Sequence, residues 1–197
     1  MLQFRGMVLS DRTIKEKIAK GRILIEPLDP ARIQPGSFDA PLDNKFLVSK
    51  TWRCPYYIDV RRNVDDLSEP VEIGEDRAFL LNAREFALAS ILESTILPDN
   101  IAARLEGKSS LGRISLLIHS TASYVNLGWL GHFTLELSNV AKLPITLYYK
   151  MAIGRLPFLR LTSPLERLYG SLELQSKYQG QTEPAATRYY KEFTKEN

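Results

Sequence analysis

Phe133-Thr-Leu-Glu-Leu-Ser-Asn139 places Phe133, Leu135 and Leu137 on one face and Thr134, Glu136 and Ser138 on the other. A period of two is the signature of a β-strand with one buried face. The same texture extends outward. Short apolar runs at Ile23–Ile25, Phe46–Val48, Phe86–Ser90, Ile145–Tyr148 and Ile153–Leu161 are broken by Pro, Asp, Asn and Gly. Many short strands with regular punctuation predict a mainly antiparallel sandwich or barrel. One short helix precedes them: Ser10 caps it, Ile14 and Ile18 lie one turn apart, and Gly21 can end it. No internal repeat is evident.

A chain of 197 residues suits one domain, with 44% hydrophobic and 25% charged residues. Its net charge of +3 does not point to duplex nucleic acid. Cys54 is the only cysteine, which leaves no intrachain disulfide or thiolate metal cluster. The segment Met1-Leu-Gln-Phe-Arg-Gly-Met7 lacks the apolar core of a signal peptide. No run reaches the roughly 18 apolar residues of a membrane helix. A cytoplasmic protein without membrane partners is expected. The last stretch, Ser171 to Asn197, has little apolar periodicity. It reads either as a disordered tail or as an arm over a ligand, with Tyr178, Tyr189 and Tyr190 favouring the second.

Candidate chemistry gathers in Arg104-Leu-Glu-Gly-Lys-Ser-Ser-Leu-Gly-Arg113, Ile118-His-Ser-Thr-Ala122 and the strand carrying Glu136. Gly107-Lys108-Ser109 resembles the end of a P-loop, but the first glycine of that motif would fall on Ala102. A phosphate-holding turn remains plausible on local physics, with glycine-exposed N–H groups, the Lys108 charge, and the Ser109 and Ser110 hydroxyls. Ser109 and Arg113 share a face in a helical turn. A capped, solvated turn is the alternative. Glu136 is either a carboxylate on a wet sheet face or a partly desolvated proton shuttle. His119 and His132 are the only histidines, and neither His-x-Glu nor Cys-x-x-Cys occurs. Structural zinc is excluded and catalytic zinc is not expected. For His119 a hydrogen-bonded structural role is the better reading, and for Trp129 a core role.

With these residues in place the chain resembles the dCTP deaminases of the dUTPase-like superfamily over nearly its whole length. The matches are Met7-Val-Leu-Ser-Asp11, Ile25-Glu-Pro-Leu-Asp-Pro30, Gln34-Pro-Gly-Ser-Phe-Asp39, Leu105 to Arg113, Ile118 to Ala122, Leu135 to Asn139 and Ser176-Lys-Tyr-Gln-Gly-Gln181. The likeness is greatest to members that carry deamination through to dUMP. It implies a mainly β, dUTPase-like (β-clip) fold with a few short helices, assembled as a homotrimer with sites between subunits. Residues 1–170 would form the domain, with Met1–Gly6 an extension, and 171–197 an arm closing over the nucleotide.

The resemblance implies that Glu136 is the general base for water attack on cytosine C4. Ser109, Arg113 and the Ala122 carbonyl would position that water. Lys108, Ser110, Leu111, Gly112, Asn126, Thr134, Leu135, Arg155, Tyr169, Lys177 and Gln181 would hold dCTP. Magnesium would arrive on the triphosphate, zinc would play no part, and dTTP is raised as a feedback inhibitor.

The family's Ile-Asp-Pro-Gly reads Val125-Asn-Leu-Gly128 here, so Asn126 and Leu127 depart from it. An amide can bond a sugar hydroxyl but cannot take a proton at neutral pH. Ser123-Tyr124 replaces Gly-Phe, Pro41 an arginine and Arg155 a glutamine. The expected reaction is therefore deamination of dCTP to dUTP. The alternatives are a bifunctional enzyme continuing to dUMP and diphosphate, and a nucleotide-binding regulator that has lost catalysis.

Overall fold

The computed structural model describes residues 7–50, 57–163 and 165–194. The Met1–Gly6 extension and Cys54 lie outside the described residues. Helix α1 (Asp11–Ala19) is capped by Ser10, whose hydroxyl accepts the Thr13 N–H. It ends at Lys20, and Gly21 follows at φ +63, the left-handed position after a helix that glycine occupies without strain. Among the described residues no helix is long and apolar enough to cross a membrane.

Among the described residues fourteen strands carry the rest. In chain order they are β1 (Leu24–Glu26), β2 (Ile33–Gln34), β3 (Ser37–Ser49), β4 (Ser68–Glu72), β5 (Ala78–Leu81), β6 (Phe86–Ile96), β7 (Ile101–Arg104) and β8 (Glu106–Gly107). Helix α2 (Ser109–Gly112) intervenes. Then come β9 (Leu116–Leu117), β10 (Tyr124–Val125), β11 (Leu130–Asn139), β12 (Ile145–Tyr148), β13 (Ala152–Leu156) and β14 (Phe158–Arg160). The main sheet runs β8-β13-β3-β6-β11-β9, and smaller sheets are β10-β7-β14 and β12-β5. The fold is mainly β with short helices, as the sequence pattern predicts. The apolar run expected over Ile153–Leu161 divides into β13 and β14, and that expected over Ile23–Ile25 is shifted by one residue.

Long strands β3, β6 and β11 are the spine, and their inward residues pack with those of neighbouring elements to make the core. Phe38, Leu42, Phe46, Ile91, Leu135, Leu137 and Phe158 are all essentially inaccessible. Each such side chain stabilises the fold by roughly 1.5–3 kcal/mol relative to exposure. Phe46 stacks on Phe79 with ring centroids 3.9 Å apart. Strand β11 ends at a buried asparagine with its polar atoms satisfied. The Asn139 amide donates to the Leu81 and Leu143 carbonyls at 3.0 and 2.9 Å, and its oxygen accepts from the Ala141 N–H.

One irregularity matters for the site. Between the pairs His132↔Ser94 and Thr134↔Ser90, β6 places Ile91, Leu92 and Glu93 opposite the single residue Phe133. Such a bulge re-aims the side chains beyond it while the core pairing is kept. Glu93 is left inside, almost wholly buried, with one carboxyl oxygen unpartnered among the described residues.

Candidate active site

Beyond the bulge, Thr134, Glu136 and Ser138 emerge half-buried on the face opposite Phe133, Leu135 and Leu137. The alternation read from the sequence sets this division. The Glu136 N–H donates to the Ile118 carbonyl at 2.9 Å. Its carboxylate turns back to accept the Ser120 N–H at 2.7 Å. One oxygen is thereby held in place by a backbone donor.

Glu136 lines a cavity of about 470 Å³. Phe86, Leu88, Leu105, Trp129 and Phe133 supply its apolar lining, and Ala122, Ser123, Tyr124, Asn126 and Thr134 its more polar side. Trp129 belongs to both core and cavity. It is buried, its indole N–H donates to the Gly131 carbonyl at 3.1 Å, and its ring lies 5.4 Å from Phe133 and 5.8 Å from Tyr169. Burial pushes the Tyr169 phenol above its ordinary value. Among the described lining residues Glu136 is the only carboxylate.

The segment after residue 170 supplies the remaining wall through Tyr178, Gln181, Ala185, Ala186 and Thr187. It docks through both its backbone and the Gln179 and Gln181 side chains. Gln181 forms a parallel bridge with Gly131, its carbonyl accepts the His132 N–H at 2.8 Å, and the Gly180 N–H reaches the Leu130 carbonyl at 2.9 Å. The Gln181 amide donates to the Thr134 hydroxyl. Gly131 has φ +130, and a Cβ there would stand 2.4 Å from the Gln181 carbonyl oxygen. Only glycine allows this approach.

Of the residues named from sequence, Glu136, Ala122, Asn126, Thr134, Tyr169 and Gln181 meet at this cavity. Lys108, Ser109, Ser110, Leu111, Gly112, Arg113, Arg155 and Lys177 do not line it. Leu135 points into the core, so its side chain is not presented there either. The Lys108-to-Arg113 segment forms α2, and the Arg113 N–H donates to the Ser109 carbonyl at 3.0 Å as a helical turn requires. Gly107 is not the expected turn residue. It belongs to β8 and pairs with Gly154, because the β8–β13 ladder claims its backbone. Lys108 ion-pairs with Asp39 at 2.6 Å, and Lys177 with Glu192.

His119 also differs from expectation: its buried Nδ1 has no hydrogen-bond partner among the described residues. Sequence reading missed the Ser120 N–H, and it missed Val64, Ser68 and residues 185–187 on the cavity wall. Backbone donors and residues contributed from distant segments carry no local motif.

Comparison with known proteins agrees with this architecture. A family model described as dCTP deaminase-like matches residues 8–161. A dUMP-forming dCTP deaminase of Mycolicibacterium vanbaalenii is 51% identical over 189 residues, covering 96% of this chain and 99% of that protein. One from Mycobacterium avium is 51% identical over 187 residues, covering 95% and 98%. A crystal structure of 2′-deoxycytidine 5′-triphosphate deaminase from Agrobacterium tumefaciens superposes with a TM-score of 0.61 at 22% identity. The match spans 79% of this chain and 47% of that one.

Proposed function

The chain belongs to the dCTP deaminase-like family, and we infer that it works as a dCTP deaminase, converting dCTP and water to dUTP and ammonia. The observation that carries the mechanism is Glu136, the only carboxylate among the described cavity-lining residues, held by the Ser120 N–H against apolar walls. Glu136 takes a proton from water as its oxygen attacks cytosine C4. The same carboxyl passes that proton to N3, then takes the proton of the new C4 hydroxyl and gives it to the amino group, which leaves as ammonia as the C4–N bond breaks and the C4 carbonyl forms. Ser109, Arg113 and the Ala122 carbonyl would orient the water. Asn126, Thr134, Leu135, Tyr169 and Gln181 would hold the nucleoside, and Lys108 to Gly112, Arg155 and Lys177 its phosphates.

Helix α2 does not line the cavity of its own chain. This supports a homotrimer in which a neighbouring copy brings α2 to the cavity and residues 171–197 act as the closing arm. Mg²⁺ would enter as part of the substrate, coordinated by the triphosphate. dTTP, a related pyrimidine triphosphate, is the proposed feedback inhibitor, and the cytoplasm is the compartment this reading implies.

The product is proposed to be dUTP, because Asn126 cannot serve as a second base. The bifunctional reading, ending at dUMP and diphosphate, is favoured by a different observation: the relatives at 51% identity are named dUMP-forming. Incubation with dCTP and Mg²⁺, with ammonia measured and nucleotides separated by anion exchange, decides between them. Ammonia with dUTP supports the first reading, and ammonia with dUMP the second. Nucleotide binding without ammonia would instead indicate a regulator that has lost catalysis.

A further inference from the structure

A second cavity, of about 790 Å³, lies at the root of the arm, and none of its lining residues lines the cavity that holds Glu136. Its walls come from the turn before β7, the residues that follow β14 and the start of the arm. Leu165, Leu168 and Leu172 line it and are exposed, Leu172 to 96%. Two further lining residues, Asn100 and Ser171, carry buried oxygens (Oδ1 and Oγ) with no hydrogen-bond partner among the described residues. Buried acceptors normally have one. The lining therefore suits an occupant that is apolar on one side and offers hydrogen-bond donors on another.

The first described residues lead toward it. Val8 bridges Leu159 in antiparallel register, the Leu9 N–H donates to the Phe158 carbonyl at 2.9 Å, and the Arg160 N–H donates to the Met7 carbonyl at 2.7 Å. Residues 7–9 thus lie on one edge of β14, whose other edge is taken by β7. In an antiparallel pair a step back along one strand is a step forward along the other. The step beyond Met7 and Arg160 sets Gly6 opposite Leu161, which already lines the cavity. The residues before it, Met1-Leu-Gln-Phe-Arg5, alternate apolar Leu2 and Phe4 with the donors Gln3 and Arg5. In an extended segment these two sets take opposite faces. At about 3.3 Å per residue six residues reach roughly 20 Å, enough to cross a cavity of this volume.

We propose that residues 1–6 continue this edge strand past β14 and occupy the cavity. Leu2 and Phe4 cover Leu165, Leu168 and Leu172, while Gln3 and Arg5 supply donors to the Asn100 oxygen and to the Glu166 and Glu173 carboxylates of the lining. The consequence falls on the arm. Leu168 is followed by Tyr169, whose N–H donates to the Leu127 carbonyl at 3.1 Å, and Gly170 and Ser171 begin the arm. An occupied cavity braces the arm at its root, as Gln181 does further along. None of this depends on the deaminase reading.

The test is hydrogen exchange with mass spectrometry on the full chain and on a Leu2→Ser/Phe4→Ser double variant. Losing the occupant should speed exchange of amides in residues 161–173 by roughly threefold or more. Leu143→Ser alters a leucine that is 73% exposed but does not line the cavity, and should leave those amides unchanged. A cross-link checks the register. In a Cys54→Ser background, Gly6→Cys with Leu161→Cys should close a disulfide within one chain. Like Val8 and Leu159 they form a non-hydrogen-bonded pair, with Cα atoms about 4.5 Å apart and within disulfide range. Thermal unfolding checks that each variant is folded. An acceleration below about threefold in the double variant, or an equal one from Leu143→Ser, would overturn the inference. So would a missing cross-link, or one joining two chains, which would make the occupant a second copy.

Discussion

Glu136→Gln removes the proton acceptor while keeping the shape of the site. The Glu136 carboxylate accepts the Ser120 N–H at 2.7 Å, and a glutamine amide oxygen can accept the same donor. The side chain should therefore stay where β11 puts it. Two quantities follow. A positioned general base is worth about 10²–10⁴ in rate. At about 1.4 kcal/mol per decade, kcat should fall by the equivalent of roughly 3–5.5 kcal/mol. Replacing a charged acceptor by a neutral one weakens the Ser120 bond by about 1 kcal/mol. For a chain of this size that lowers Tm by only about 2–4 °C. The assay is ammonia release from dCTP under saturating Mg²⁺, with dCTP affinity by calorimetry and Tm by scanning. The expected pattern is a kcat loss of at least a hundredfold, affinity within threefold and a small Tm shift. A variant retaining more than a tenth of the parent kcat would refute Glu136 as base. A Tm drop beyond about 10 °C would show its carboxylate to be structural instead.

Three further outcomes are expected. Burial lifts the Glu93 carboxyl to about 8; Arg32 partly offsets this, and Asp29 and Asp43 reinforce it. Because the folded value is raised, the stabilisation is complete below about 4.5 and is lost as pH rises toward 8, at up to about 1.4 kcal/mol per unit. Glu93→Gln should flatten that slope, with similar Tm at pH 5 and higher Tm at pH 8; parallel Tm–pH curves would count against it. Gly131→Ala sets a Cβ against the Gln181 carbonyl at φ +130, so it should detach the arm from β11 and raise the KM for dCTP several-fold. An unchanged KM would show that arm docking does not limit binding. Asn126→Asp supplies a second carboxylate beside the cavity and should raise the dUMP fraction of product on anion exchange. If the parent already yields only dUMP, Asn126 is not the determinant.

The β class, the capped first helix and the two faces of β11 were legible because each rests on local spacing. Ser10 caps α1 through its own hydroxyl, and Leu135 and Leu137 are buried because neighbours on a strand point to opposite sides. Glu136 was legible as a carboxylate on the polar face. Its companions were not, because the β6 bulge, the Ser120 donor and the wall from residues 64, 68 and 185–187 come together only when distant segments pack. Gly107 shows the opposite case: a turn-like motif was absorbed into a strand once β13 offered it hydrogen-bond partners. Which cations are engaged was likewise undecided by pattern. Lys108 and Arg155 look equally available in one dimension. Cross-strand register sets Asp39 and Glu106 on either side of Arg155, while their carboxylates engage Lys108 and Arg104. Periodicity decides faces because it is a property of one strand, whereas charge pairing depends on distances between strands, and only the folded chain sets those.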